Sequence, residues 1–265
     1  MLWLDGKRVG DDELLFSAQE RGLLLGDGIF ETLRIMNGRP LLLGRHLRRL
    51  EGAARALGFS ADLSGIEAAA RDAASQADTA SMRITVLRGV GPRGLLLPSE
   101  PQHRTLIAVS PAGPRQPALR QVIIAVTRRN EGSPLSRMKC VSYADQVIAR
   151  MEANAAGAED AIMLNNKDEP ASTSCANLLV LMDAGWVTPP VETGLLPGIV
   201  REVLIEKGLV AEARVTLDAV RTRPLLRTNS LIGVEPLQLE GGPSAEPGDY
   251  AALTEALSAA ERDEE

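Results

Sequence analysis

Ser136-Arg137-Met138-Lys139-Cys140-Val141-Ser142-Tyr143-Ala144-Asp145-Gln146 places one lysine between apolar neighbours where the backbone pattern changes. Before it come a β-rich run, Gln121–Thr127, and the turn-prone Asn130-Glu131-Gly132-Ser133-Pro134. After it, apolar residues recur at helical spacing from Tyr143 to Ala156, closed by Gly157. Lys139 therefore sits at a strand-to-helix junction. Most lysines are solvated surface residues. One held between Met138 and Val141 is partly desolvated, which disfavours the charged form, and a neutral amine can form a Schiff base with a carbonyl cofactor.

Outward from this stretch the chain alternates strand-like and helix-like segments. Leu2–Val9 reads as a hairpin turning at Asp5-Gly6, and Ile29–Leu43 as a second turning at Asn37-Gly38, since both dipeptides tolerate positive φ. Leucines 47, 50 and 57 share a helical face that ends at Gly58, and a second helix is expected from Ser64 to Gln76. Strands are expected at Met82–Leu87, Thr105–Val109, Gln121–Thr127, Ala161–Leu164, Leu178–Met182, Glu212–Thr216 and Leu231–Val234, with helices at Tyr143–Ala156, Gly198–Lys207 and Asp249–Glu261. Ser110-Pro111-Ala112-Gly113-Pro114-Arg115-Gln116-Pro117 carries three prolines and a glycine in eight residues, which suits an extended linker. The expected organisation is a smaller N-terminal domain over 1–109, a linker over 110–117 and a larger C-terminal domain over 118–265 carrying Lys139. The acidic end Glu261-Arg262-Asp263-Glu264-Glu265 reads as a solvated helix terminus.

Bulk properties narrow the function. The 265 residues, 45% of them hydrophobic, suffice for an α+β (mixed α/β) protein of enzyme size with real cores. A net charge of −6, with no basic block, argues against a nucleic-acid partner or an anionic membrane surface. Apolar runs are too short to span a bilayer, the N-terminus reads into a hairpin rather than a signal peptide, and a cytoplasmic setting is expected. Cys140 and Cys175, with His46 and His103, form no metal-ligand pattern, so no metal is expected.

Lys139 has companions. Arg21-Gly22-Leu23-Leu24-Leu25-Gly26-Asp27-Gly28-Ile29-Phe30-Glu31-Thr32, Arg45-His46-Leu47-Arg48-Arg49-Leu50, the lysine stretch, Ser174-Cys175-Ala176-Asn177-Leu178, Leu196-Pro197-Gly198-Ile199-Val200-Arg201 and Thr228-Asn229-Ser230-Leu231-Ile232-Gly233-Val234 follow one another along nearly the whole chain. In that order they resemble the class IV (fold type IV) pyridoxal-phosphate enzymes, which include branched-chain and D-amino-acid aminotransferases and 4-amino-4-deoxychorismate lyase. The resemblance implies the two-domain architecture of D-amino-acid aminotransferase-like enzymes, pyridoxal 5′-phosphate as cofactor, a homodimer, and an active site between the domains.

By that resemblance Lys139 is the Schiff-base and catalytic lysine. The amides of Ile199 and Val200 would hold the cofactor phosphate at a helix start, a favourable place for an anion, with Arg49 as its cation and Ser230 as a hydroxyl donor. Tyr143 would bond the phenolic oxygen, and His46 and Asn177 would brace the fold. In D-amino-acid aminotransferases an arginine, a tyrosine and a histidine trap the substrate carboxylate; the matching positions here are Arg93, Phe30 and Leu95, so only the arginine is kept. Most of the family places a glutamate five residues before the asparagine, against the pyridine nitrogen. This chain has Ser172 there, and Glu169 precedes Pro170 and would need a shifted loop. A hydroxyl favours a neutral pyridine and a weaker electron sink. The Thr228–Val234 stretch looks most like aminodeoxychorismate lyases, which form 4-aminobenzoate and pyruvate. The alternatives are an aminotransferase for branched-chain or D-amino acids with a 2-oxo acid acceptor, and a cofactor-binding protein without turnover.

Overall fold

A computed structural model describes residues 1–10 and 16–264. By its contacts the chain forms two units: Met1–Pro114 with Met138–Ser142 and Glu264, and Arg115–Arg137 with Tyr143–Asp263. The lysine strip, expected with the C-terminal part, thus packs with the first unit.

The first unit contains β1 (Leu2–Leu4), β2 (Lys7–Val9), α1 (Arg21–Leu25), β3 (Gly28–Met36), β4 (Arg39–Pro40), α2 (Leu43–Ala56), α3 (Leu63–Ser75), β5 (Thr79–Leu87) and β6 (Arg104–Pro111). Its strands form one antiparallel sheet in the order β2-β1-β6-β5-β3-β4. Both expected hairpins are present, with φ of 48° and 79° at Asp5-Gly6 and 51° and 74° at Asn37-Gly38, the double positive φ that matches the strand twist. β4 is short because the chain, after Leu41 N donates to Arg34 O at 2.8 Å, turns at Leu42 with a φ of 54° into α2. One face of the sheet, with Ile29, Leu33, Ile35, Met82, Ile84 and Ile107, packs on Leu43, Leu47 and Leu50 of α2 and the alanines of α3. Each such fully buried aliphatic side chain contributes about 1.5–3 kcal/mol. Residues 110–111, expected in the linker, complete β6 opposite Ala80 and Ser81.

The second unit contains β7 (Arg120–Ile124), α4 (Ala144–Ala155), β8 (Asp160–Leu164), β9 (Pro170–Thr173), β10 (Asn177–Met182), β11 (Gly185–Thr188), α5 (Ile199–Glu206), β12 (Val210–Glu212), α6 (Leu217–Thr222), β13 (Leu225–Asn229), β14 (Gly233–Leu239) and α7 (Pro247–Asp263). The sheet order is β12-β11-β10-β13-β14-β7-β8-β9, and β9 also pairs with β10, which closes six strands into a ring. Inside it Arg227 of β13 bonds Asp160 of β8 and Glu235 of β14, a buried ion group that crosses the ring.

Other expectations differ as well. The strand expected at Glu212–Thr216 ends at Glu212, because Thr216 Oγ1 accepts from Ala219 N and caps α6. The strand expected at Leu231–Val234 starts only at Gly233, because Asn229 Oδ1 accepts from the amides of Leu231 and Ile232 and holds a turn before it. The acidic end is not simply solvated: Glu261 is 8% exposed and paired with Arg115, and Glu264 pairs with Arg45. Glu265 lies outside the described residues. No helix among the described residues is long and apolar enough to cross a membrane.

Candidate active site

In the first unit the site starts from β3. Phe30 N donates to Lys139 O at 2.8 Å, Val141 N donates to Gly28 O at 2.9 Å, and buried Cys140 bridges Ile29. These main-chain bonds lay Met138–Ser142 along the start of β3 and fix the Lys139 backbone independently of its side chain. The half-buried Lys139 reaches back over Phe30, its Nζ 4.4 Å from the ring centroid. The Arg83 guanidinium, carried by β5 opposite Thr32, stands 3.5 Å from the same centroid and donates from Nε to Thr85 Oγ1 at 3.2 Å. An amine and a planar donor fork therefore share one aromatic ring. The sequence alone does not point to Arg83, since its nearness to Phe30 depends on the β3–β5 register.

Next to Phe30, Glu31 occupies an inward position among Ile29, Leu33 and Ile35 and is 1% exposed. Arg49 of α2 grips it in two places, Nε to Oε1 at 2.8 Å and Nη2 to Oε2 at 2.6 Å, and His46 Nδ1 stands 2.7 Å from Oε2. Burial pushes the Glu31 carboxyl up, but the charge and hydrogen bonds of Arg49 and the bond to His46 outweigh it and hold it at about 2. Burial lowers the pKa of His46, with Arg49 and Lys139 adding to the effect against Glu31. The expected cation Arg49 is thus oriented by a buried carboxylate, and the sequence signal for Glu31 was a charge at an apolar position of an alternating strand.

The low Glu31 value makes stability pH-dependent. A carboxyl titrating at about 2 in the fold and at about 4.5 unfolded stabilises fully above 4.5, and that contribution is lost as pH falls toward 2. Glu31→Gln is expected to unfold earlier in urea than the parent at pH 7, with the gap closing between pH 4.5 and 2; a gap that stays constant with pH contradicts this assignment.

Arg93 and Leu95 lie on the exposed loop after β5. Arg93 lines a cavity of about 340 Å³ with Gln19, Arg21, Leu24 and Leu25. Arg21 ties this loop to α1 by donating to Gly94 O and Leu96 O, and Leu95 is 82% exposed.

In the second unit, Ser172, Asn177 and Thr228 stand in one row across β9, β10 and β13. Ser172 is 6% exposed. Asn177 Nδ2 donates to Leu196 O at 2.9 Å, and a Cβ on Gly198 would fall on Asn177 Oδ1, so a side chain there would have to displace the Asn177 amide from that bond. Gly198 is the N-cap of α5 with no side chain capping it, which leaves the first-turn amides of buried Ile199 and Val200 for an anion. Asn229, whose Nδ2 donates to Cys175 O at 3.2 Å, shapes the turn that carries Ser230. Tyr143 is half-buried at the start of α4. A glycine cradle, an uncapped helix start and a hydroxyl turn fit a phosphate-bearing cofactor. No cluster of metal-ligating side chains occurs among the described residues.

The profile of the family described as amino-transferase class IV matches residues 28–238. The chain belongs to the class IV aminotransferases. A relative from Methanocaldococcus jannaschii named putative branched-chain-amino-acid aminotransferase is 29% identical over 233 residues, 83% of this chain and 81% of its own length. A 4-amino-4-deoxychorismate lyase from Pseudomonas aeruginosa superposes with a TM-score of 0.83 at 28% identity, covering 99% of this chain and 98% of that one. A Mycobacterium tuberculosis protein described as a hypothetical aminotransferase in its PLP-bound form shares the fold with a TM-score of 0.87 at 20% identity, over 100% of both chains. The class IV fold, α+β with fold type IV architecture, is the one expected from the sequence, and the family depends on pyridoxal phosphate.

Proposed function

We propose that this class IV enzyme is a 4-amino-4-deoxychorismate lyase that uses pyridoxal 5′-phosphate and releases 4-aminobenzoate and pyruvate. The observation that carries the reading is that Lys139 Nζ and the Arg83 guanidinium both stand against the Phe30 ring, a proton acceptor and a carboxylate fork on one aromatic support. The full-length likeness to the P. aeruginosa lyase supports it.

Pyridoxal phosphate, when bound, supplies an aldehyde for the substrate amine and an electron sink that acidifies the carbon bearing that amine. Lys139 Nζ takes the proton from that carbon, and the enolpyruvyl oxygen departs from the neighbouring carbon as the ring becomes aromatic. Aminodeoxychorismate carries two carboxylates, and this reading gives one to Arg83 and the other to Arg93, with Phe30 and Leu95 as apolar walls. The Ile199 and Val200 amides, the Ser230 hydroxyl and Arg49 take the phosphate. Tyr143 donates to the phenolic oxygen, and Ser172 meets the pyridine nitrogen without a fixed negative charge. Leu23, Leu24 and Leu25 with Leu95, Leu96 and Leu97 expose an apolar surface that suits a second copy of the chain, and a cytoplasmic homodimer completes the reading.

A second reading is an aminotransferase for branched-chain or D-amino acids, and the name of the M. jannaschii relative favours the branched-chain form. One assay set separates the two: enzymatically generated aminodeoxychorismate on one side, D- and L-amino donors with 2-oxoglutarate on the other. The lyase reading expects 4-aminobenzoate release, with KM raised by roughly 10- to 100-fold in Arg83→Leu, the range for a lost charge-assisted fork. Brisk transamination without 4-aminobenzoate moves the assignment to the aminotransferases.

A further inference from the structure

The turn that carries Ser230 is held from two sides. On one side Asn229 Oδ1 accepts from Leu231 N at 2.9 Å and Ile232 N at 3.0 Å. On the other, Arg115 donates from Nη2 to Ser230 O at 2.8 Å and from Nε to Leu231 O at 3.2 Å. The two carbonyls point to the guanidinium while the next two amides point to Asn229, which fixes the peptide planes on both sides of Leu231 and with them the exit of the chain from Ser230. The Arg115 stem lies over Gly233, at a φ of +73°, where a Cβ would come within 3.1 Å of Arg115 Cδ.

Arg115 is itself held by the C-terminal helix. Its Nη1 donates to Glu261 Oε2 at 2.8 Å and its Nη2 to Glu261 Oε1 at 2.7 Å. The side chains of the pair are 18% and 9% exposed, so the bond is shielded from competing water. A bidentate carboxylate fixes both the position and the plane of a guanidinium. With that plane fixed, the remaining donors are aimed at the Ser230 and Leu231 carbonyls.

We propose that Arg115 is a positioning residue for the phosphate-binding turn, and that Glu261 near the end of α7 sets it, so that the C-terminal helix tunes how tightly the cofactor phosphate is held. This rests on the reading of Ser230 as a phosphate donor. Neither residue touches the cofactor; both act through the turn. A lysine cannot replace Arg115, because one ammonium does not present a planar fork to two carboxylate oxygens and two carbonyls together.

The test compares cofactor with and without its phosphate. Apoprotein is titrated with pyridoxal phosphate and with pyridoxal, for the parent, Glu261→Gln, Arg115→Lys and Ser230→Ala, with melting temperatures as the folding control. Glu261→Gln removes a negative charge, so a through-space effect would tighten phosphate binding whereas a positioning effect loosens it. The expected result is a roughly 3- to 10-fold weaker affinity for pyridoxal phosphate in Glu261→Gln and Arg115→Lys, with pyridoxal affinity unchanged. Unchanged or tighter pyridoxal phosphate binding in Glu261→Gln overturns the proposal, as does an equal loss for both ligands. If Ser230→Ala weakens pyridoxal phosphate selectively while Glu261→Gln does not, only this inference fails. If Ser230→Ala has no effect, the assignment of the phosphate donor falls and takes this proposal with it.

Discussion

Lys139→Ala is expected to leave a folded chain whose turnover, with aminodeoxychorismate or with an amino donor and 2-oxo acid, falls by at least roughly a thousandfold, within the range for a lost general acid–base group. Folding survives because the strip is held by main-chain bonds, Phe30 N to Lys139 O and Val141 N to Gly28 O, which alanine keeps. Cys140, the buried residue of the strip, is also untouched. Lys139→Arg is the sharper variant. It keeps a cation above Phe30 but carries a group that does not give up its proton near neutral pH. Equal losses in both variants, with unchanged melting temperatures, assign the effect to proton transfer rather than to charge or packing. Activity above about a tenth of the parent's in either variant would remove Lys139 from the chemistry.

The second large effect is on stability. Arg227 is 7% exposed and bonds Asp160, which is fully buried, at 2.5 Å and Glu235, 3% exposed, at 2.5 and 2.8 Å. Arg227→Met matches the length and apolar stem but strands two buried carboxylates, and removing one partner of a buried ion group costs about 3–5 kcal/mol. Arg120 still reaches Glu235 and Ser174 still reaches Asp160, which places the loss at the lower end. Burial raises the Asp160 pKa, yet the Ser174 hydrogen bond and Arg227 outweigh it and leave it lowered. Its stabilising contribution is therefore present above the ordinary carboxylate value and lost as pH falls below it, so the deficit of Arg227→Met shrinks in acid. The triple variant Arg227→Met, Asp160→Asn, Glu235→Gln recovers most of the loss at pH 7, because no buried charge is left unpaired. Urea midpoints at pH 7 and at a pH below the 3.8 of an ordinary aspartate check both points, and a deficit below about 1 kcal/mol at pH 7 would show that the ion group contributes little.

What was legible in the sequence was what depends on local pattern. Asp5-Gly6 and Asn37-Gly38 give their hairpins away because few other dipeptides tolerate two positive φ values. The leucine and alanine faces of α2 and α3 follow from helical spacing, and the α5 start follows from Pro197-Gly198 ahead of an apolar run. β13 was missed because Arg227 interrupts its apolar run, and that residue makes sense only opposite Asp160 and Glu235, far apart in the chain. The placement of Lys139 with the first unit was hidden for a similar reason: five residues leave their sequence neighbours to bond β3. Arg83 and Arg115 escaped notice because each acts across a register or through a helix end that no periodicity encodes. In the candidate site, the partners that orient the expected residues, Glu31 for Arg49 and Arg115 for the Ser230 turn, lie on other elements and leave no local pattern.

Every role proposed for the site turns on which lysine carries the cofactor, and the chain offers four: Lys7, Lys139, Lys167 and Lys207. Lys7, Lys167 and Lys207 are exposed, and only Lys139 is half-buried and backed by an aromatic ring. Borohydride reduction of the protein loaded with pyridoxal phosphate, followed by peptide mass spectrometry, fixes the linkage in place. The account predicts a single pyridoxyl group on the peptide containing Lys139 and none on Lys139→Ala; a stoichiometric label on Lys7, Lys167 or Lys207 would contradict it.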